Sequence, residues 1–221
     1  MQQLLLQLAP PPAPTLDNFI PGRNGAALQA LRDIAGGGAE RFVYLWGAPG
    51  SGRSHLLHGL TRAAGERGAL YRGTVMEGAA DNRVIAVDDV QDLAAGDQDP
   101  LFDLYNRVRA GNGALVASGD VAPAQLALRA DLRSRLAWGL AFQLHPLSDA
   151  EKAAALRAHA RARSLELPED VIAYLLRHAR RDMASLIGIL DALDRFSLEQ
   201  KRPLTLPLVR AALESMKDTP A

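Results

Sequence analysis

The sequence predicts an α/β protein in which five short parallel strands, interleaved with helices, precede a smaller all-helical lobe. Three observations carry that reading. The apolar run Phe42-Val43-Tyr44-Leu45-Trp46 leads into Gly47-Ala48-Pro49-Gly50-Ser51-Gly52-Arg53-Ser54 and then into helix-like His55-Leu56-Leu57-His58-Gly59-Leu60, so that a strand, a glycine loop and a helix stand in register. Further short apolar runs follow, separated by helical stretches and turns, the alternation expected of a buried parallel sheet. Beyond Pro146 only helical periodicity remains.

Composition bounds the possibilities. With 221 residues and 48% hydrophobic content, the chain can build one sizeable core and a smaller second lobe. Lys+Arg 25 against Asp+Glu 25 leaves no net charge, so the whole-chain field offers no general attraction to DNA or RNA. The absence of cysteine excludes disulfides and thiolate metal sites, and the five histidines have no ligand spacing with carboxylates. The N-terminus lacks the basic and long apolar regions of a signal peptide, and no run approaches membrane-spanning length. A cytoplasmic chain with no membrane association is expected.

Taken in order, residues 1–14 form a tail and linker. Gln3-Leu4-Leu5-Leu6-Gln7-Leu8 precedes Ala9-Pro10-Pro11-Pro12-Ala13-Pro14, which cannot be helix interior and should be an extended spacer. In an extended strand Leu4, Leu6 and Leu8 project to one side with Gln3 at the head, the layout of a docking peptide. A strand folded back on the domain is the alternative, and the prolines favour docking.

Residues 15–146 are expected to form the sheet domain. Thr15 to Gly22 leads into an amphipathic helix carrying Leu28, Leu31 and Ile34 and ended by Gly36-Gly37-Gly38. The strand Phe42 to Trp46 and the loop Gly47 to Ser54 follow. A glycine loop turns backbone N–H groups inward and a helix N-terminus adds partial positive charge, so a nucleotide β-phosphate is favoured there. The loop matches G-x-x-x-x-G-K-[ST] except at Arg53, where lysine is usual. Arginine keeps the charge but its planar fork is not equivalent, so binding without fast hydrolysis is expected. A glycine-rich turn with no ligand would not require strand, loop, Ser54 and helix together.

Ala69-Leu70-Tyr71 reads as a second strand and Val84-Ile85-Ala86-Val87 as a buried third. The third ends in Asp88-Asp89, at the carboxyl end of the sheet beside the loop, where Ser54, Asp88 and Asp89 can hold Mg2+ through its water shell. A helix from Pro100 to Ala110 presents Leu101, Leu104 and Val108, and Ala114 to Ser118 is a fourth strand ending at Gly119-Asp120. Asp120 can position water or sense the nucleotide, or cap a helix before Pro123. Arg133 and Arg135 fall within one short helical turn before the last strand, Leu140 to Leu144. They cannot both be core, and the local sequence leaves open a solvated helix face or an arginine directed at a neighbouring subunit's phosphates.

Residues 147–221 form the helical lobe. Ser148-Asp149-Ala150-Glu151 is a capping box, Pro168 suits a helix's first turn, a third helix runs from near Asp182 through Leu186, Leu190 and Leu193, and Thr205 and Pro207 start a fourth. Arg181 stands at a helix start, either facing the nucleotide or as an exposed lobe arginine.

This succession resembles an AAA+ P-loop NTPase, and within that family the DnaA and Hda group, over nearly the whole chain. Leu16-Asp17-Asn18-Phe19-Ile20 resembles the segment that lies beside adenine, Gly47 to Ser54 the Walker A loop and Val84 to Asp89 the Walker B strand. Asp120 matches the sensor-one position. Ser134-Arg135-Leu136-Ala137-Trp138-Gly139 is similar to the box carrying the arginine finger, which makes Arg135 the finger, and Arg181-Asp182-Met183 is similar to the sensor-two motif, which gives Arg181 that role. The resemblance implies a five-stranded parallel sheet of order 5-1-4-3-2 with a C-terminal helical lid subdomain. It implies ADP or ATP with Mg2+ as cofactors, bound by Phe19, Ile20, Gly47, Ala48, Pro49, Gly50, Ser51, Gly52, Arg53, Ser54, His55, Asp120 and Arg181.

Three features favour the Hda branch. No helix-turn-helix domain for duplex DNA fits after Pro207, the link between second and third strands is too short for the helical pair with which DnaA and its loader relatives grip single strands, and the Q-L-x-L-x-L-like tail and Arg53 both match Hda. The resemblance therefore implies a bacterial cytoplasmic regulatory inactivator of DnaA without sequence-specific DNA binding. It would dock through Gln3, Leu4, Leu6 and Leu8 on the DNA polymerase III beta sliding clamp, promote hydrolysis of DnaA-bound ATP through Arg135 in trans, turn over little ATP itself, and be able to pair as a homodimer. Asp88-Asp89 is closer to DnaA than to some Hda sequences and leaves residual ATPase open. Two alternatives belong to other classes. A DnaA-like helicase loader needs the Walker lysine and a single-strand-binding insertion, and a small-molecule P-loop kinase has no place for the lobe or the tail.

Overall fold

The computed structural model describes residues 12–72, 83–179, 182–200 and 203–217. Contacts divide the chain into two compact units, Pro14–Pro146 and a second one that includes Leu147–Ala221. In chain order the first unit holds α1 (Gly25–Ala35), β1 (Phe42–Trp46), α2 (Arg53–Ala63), β2 (Gly68–Arg72), β3 (Val84–Asp88), α3 (Gln98–Ala110), β4 (Ala114–Gly119), α4 (Ala130–Leu136) and β5 (Leu140–Gln143).

The five strands form one parallel sheet, β2-β3-β4-β1-β5, which is the expected order 5-1-4-3-2 read from the other edge. Strands β3 and β4 are buried along their whole length, because helices cover both faces and successive side chains point to opposite sides. Val43, Leu45, Ala86 and Val116 pack with Leu28, Leu31 and Ile34 of α1 and Leu56, Leu57 and Leu60 of α2. Their neighbours Tyr44, Ile85, Val87, Leu115 and Ala117 pack on the opposite face with Leu101, Leu104 and Val108 of α3 and Leu132 and Leu136 of α4. Strand β1 thus lies between β4 and β5, and its carboxyl end opens where successive connections depart in opposite directions, the usual place for a ligand in such sheets.

Two element ends extend beyond the apolar pattern. Helix α3 begins at Gln98, ahead of Pro100, since a proline in the first turn breaks no helical hydrogen bond. Strand β2 continues to Arg72, which pairs in register with Asp88.

The second unit comprises α5 (Asp149–Ala162), α6 (Glu169–His178), α7 (Met183–Gln200) and α8 (Leu206–Lys217). Ser148 and Glu151 form the capping box: the Glu151 N–H donates to Ser148 Oγ at 3.2 Å and the Ser148 N–H to Glu151 Oε2 at 2.7 Å. Pro168 caps α6. Leu156, Val171, Leu175, Leu186, Leu190, Leu193 and Val209 supply the core of this unit. Among the described residues no helix is long and apolar enough to cross a membrane.

Candidate nucleotide-binding site

Strand β1 delivers the chain to the loop, and the loop conformation explains its glycines. Gly47, Gly50 and Gly52 have φ of 155°, 79° and 100°, values that side-chain-bearing residues rarely adopt. A Cβ on Gly47 would strike the Leu144 carbonyl and one on Gly52 would come within 2.7 Å of the Phe19 ring. The Gly47 N–H donates to the Gly119 carbonyl at 3.3 Å, tying the loop to the end of β4. Gly52 then begins α2 with no side-chain cap, which leaves first-turn N–H groups and the positive end of the helix dipole directed at the loop. Ser51 Oγ and Arg53 Nη1 are buried with no hydrogen-bond partner among the described residues. Buried donors without partners carry a desolvation penalty that an oxyanion would remove, so these residues fit a phosphate.

The other predicted loop residues surround this cradle. Ala48, Pro49, Gly50 and Ser54 are exposed and Gly47 and Ser51 are buried. Half-buried Phe19 lies 5.4 Å from the His55 ring, centroid to centroid, beside half-buried Ile20. Thr15 and Asn18 lock the lead-in segment by exchanging hydrogen bonds at 2.9 and 3.0 Å, and Gly59 admits it, since a Cβ there would meet Thr15 and Leu16. His55 Nε2 donates to the Thr15 carbonyl at 3.0 Å. Burial lowers the His55 pKa, the Thr15 bond opposes that shift, and His58 adds a smaller lowering.

At the end of β3 the two acids have different surroundings. Asp88 is buried, and its Oδ1 accepts from Ser118 Oγ and, at 3.1 Å, from the Asp89 N–H. Asp89 has left-handed backbone, φ 53° and ψ 53°, and its carboxylate is held by cations. Arg53 Nη2 reaches Oδ1 at 3.3 Å, while Arg72 reaches Oδ2 through Nε at 3.2 Å and Nη2 at 2.9 Å. Gln91 Nε2 also donates to Oδ1, at 3.2 Å. Asp89 is thus paired with two guanidinium groups, whereas Asp88 accepts only from Ser118 and the Asp89 N–H among the described residues. Among the described residues no group of three or more His, Asp or Glu is arranged as a direct metal site.

Asp120 is exposed directly beyond β4. Its charge and, more strongly, burial push the Tyr44 phenol far above its usual value, with Arg53 opposing. Tyr44 Oη donates to the Val121 carbonyl at 2.9 Å. Arg135 lies on α4, its guanidinium 4.0 Å from the Trp138 ring centroid and 5.0 Å from that of Phe102. Gln3, Leu4, Leu6, Leu8 and Arg181 lie outside the described residues.

Ser118, Arg72 and Gln91 belong to no motif of the sequence. Ser118 was legible as the polar residue ending an apolar strand. Arg72 was not, because it meets Asp89 only through the pairing of β2 with β3.

Comparison with known proteins agrees with this geometry. The family model for the bacterial DnaA ATPase domain matches residues 73–143, and the model described as "Hda, lid domain" matches residues 149–213. Domain III of the Thermotoga maritima replication initiation protein DnaA shares the fold with a TM-score of 0.70 at 23% identity, covering 95% of this chain and 98% of that one. AMPPCP-bound DnaA from Aquifex aeolicus gives 0.66 at 21% identity over 88% of this chain and 71% of that one. A RuvB variant from Thermotoga maritima gives 0.64 at 17% identity over 92% and 71%. With sheet order, phosphate loop and both family matches in one chain, this is an AAA+ protein related to DnaA and Hda.

Proposed function

We propose that this chain is a nucleotide-holding regulator of the replication initiator DnaA, which docks on the DNA-loaded DNA polymerase III beta sliding clamp and promotes hydrolysis of DnaA-bound ATP in the bacterial cytoplasm. The observation that carries the reading is the union in one chain of a DnaA-type ATPase domain with a lid of the Hda kind. The candidate site supports the division of labour. Its own loop, Gly47 to Ser54, fits the phosphates of ADP or ATP, with Phe19, Ile20, His55 and Asp120 as the further nucleotide-binding residues of this unit, Arg181 in the sensor-two role that the resemblance implies, and Ser54, Asp88 and Asp89 as the residues that would hold Mg2+ through water. The metal, when bound, supplies charge compensation for the phosphates. Arg72 holds the carboxylate of Asp89 through Nε and Nη2, so Asp89 is poorly placed to accept a proton from water, and slow turnover follows.

Arg135 would act on the partner's nucleotide. As water attacks the γ-phosphorus of DnaA-bound ATP and the bond to the β–γ bridging oxygen breaks, negative charge spreads over the transferred phosphoryl group, and a guanidinium there stabilises it. Gln3, Leu4, Leu6 and Leu8 would hold the chain on the clamp.

The test is hydrolysis of DnaA-bound ATP followed with this chain present, with and without DNA-loaded clamp. Stimulation that needs both the chain and the clamp is expected. Hydrolysis no faster than DnaA alone under every condition would end the reading.

A further inference from the structure

Arg53 stands where the phosphate loop places its cation, yet its Nη2 is 3.3 Å from Asp89 Oδ1 and its side chain is only 11% exposed. A phosphate that recruits this guanidinium must draw it from a carboxylate that is itself 9% exposed. A carboxylate left there without a cation would be strongly unfavourable. The same carboxylate has a second partner on its other oxygen. Arg72, the last residue of β2, grips Oδ2 through Nε and Nη2 while remaining 75% exposed. The two arginines divide the two oxygens, and the register of β2 on β3, Arg72 opposite Asp88, fixes Arg72 in this position. Gln91 adds a neutral donor to Oδ1, the oxygen that Arg53 would vacate. Arg53 Nη1 is buried and uncommitted, so the guanidinium is already only partly engaged by Asp89.

We propose that Arg72 is a positioning residue for nucleotide binding: it carries the charge of Asp89 so that Arg53 is released to the phosphates. The proposal rests on the nucleotide-binding reading and adds a partner exchange to it. Without Arg72, Asp89 has Arg53 as its one remaining guanidinium among the described residues, and the nucleotide and the carboxylate compete for it. Without Asp89 there is nothing to compete with, and Arg72 becomes irrelevant to Arg53. The effects of the two substitutions are therefore strongly non-additive, as coupled neighbours are.

The experiment measures ADP affinity by calorimetry on the full chain in the presence of EDTA, so that no metal contact enters, for the parent, Arg72→Gln, Asp89→Asn and the double variant. Asparagine tolerates the left-handed backbone at position 89, and Arg72 is exposed, so all four chains should fold; thermal unfolding checks this. Arg72→Gln should weaken ADP binding about tenfold. Asp89→Asn should bind at least as tightly as the parent, and adding Arg72→Gln to it should change nothing further. If Arg72→Gln binds as the parent does, or weakens binding equally with Asp89 and with Asn at position 89, the exchange is wrong, the second outcome making Arg72 a direct phosphate contact. A parent chain that binds no adenine nucleotide, with or without Mg2+, would overturn the nucleotide reading and the exchange with it.

Discussion

At the scale of single residues, close approach and burial decide which substitutions matter. Gly119 ends β4 against Tyr44, and a methyl at that position would overlap the phenol oxygen that donates to Val121. Gly119→Ala should therefore destabilise the first unit by about 1–3 kcal/mol through overpacking, read from denaturant unfolding with unchanged slope. His55 gives a pH signature. Burial holds its folded pKa below the ordinary value, so the unfolded chain binds the proton more readily and stability rises with pH through that interval. The contribution of neutral His55 is full above about pH 6.5, the unfolded value, and is lost as pH falls from there through the lower folded value. The melting temperature should drop on acidification below about pH 6.5, and His55→Gln should flatten that part of the profile; an unaltered profile would mean His55 is not responsible. The loop glycines were legible because their spacing is local. The Asp89 cluster was not, since Arg53, Arg72 and Ser118 converge on the end of β3 from three different elements, a meeting that only the strand register creates.

At the scale of elements, local chemistry and tertiary pairing leave different marks. Strand β1 could be read to the residue, Phe42 to Trp46, because an apolar run that stops at a glycine loop has little freedom of register. The start of α5 could be read for a similar reason: the capping box is a four-residue pattern with its own hydrogen bonds. Ser148→Ala should cost about 1 kcal/mol and should raise amide exchange in the first turn of α5 while leaving β1 and β4 protected. Unchanged exchange at residues 149–152 would show that the cap does not hold that turn. The end of β2 was hidden. Arg72 has no apolar pattern and joins the strand only because β3 offers a parallel partner as far as Asp88, so propensity alone ends the strand early.

At the scale of the whole molecule, the sheet unit and the helical unit have separate hydrophobic cores, and the proposed function assigns the tail and Arg135 different tasks. Burial of the tail leucines on a clamp would supply roughly 1.5–3 kcal/mol each, offset by the cost of ordering that segment on binding. Replacing Gln3, Leu4 and Leu6 together with alanine should abolish clamp binding in a surface-immobilised clamp assay without altering the melting temperature; equal binding would remove the tail from the interface. Arg135 bears the central claim. Its guanidinium packs on Trp138 and Phe102, contacts worth about 1–2 kcal/mol, so Arg135→Ala should lose some stability but remain folded, which thermal unfolding checks. The decisive measurement is the time course of DnaA-bound ATP hydrolysis with loaded clamp, comparing the parent with Arg135→Ala, Arg135→Lys and the neighbouring control Arg133→Ala. Loss of the stimulated rate is expected in Arg135→Ala, on the order of 10³-fold or more where the finger acts fully, with little rescue by lysine and near-parent rates for Arg133→Ala. Parent-like stimulation by a folded Arg135→Ala chain would contradict catalysis in trans through this residue.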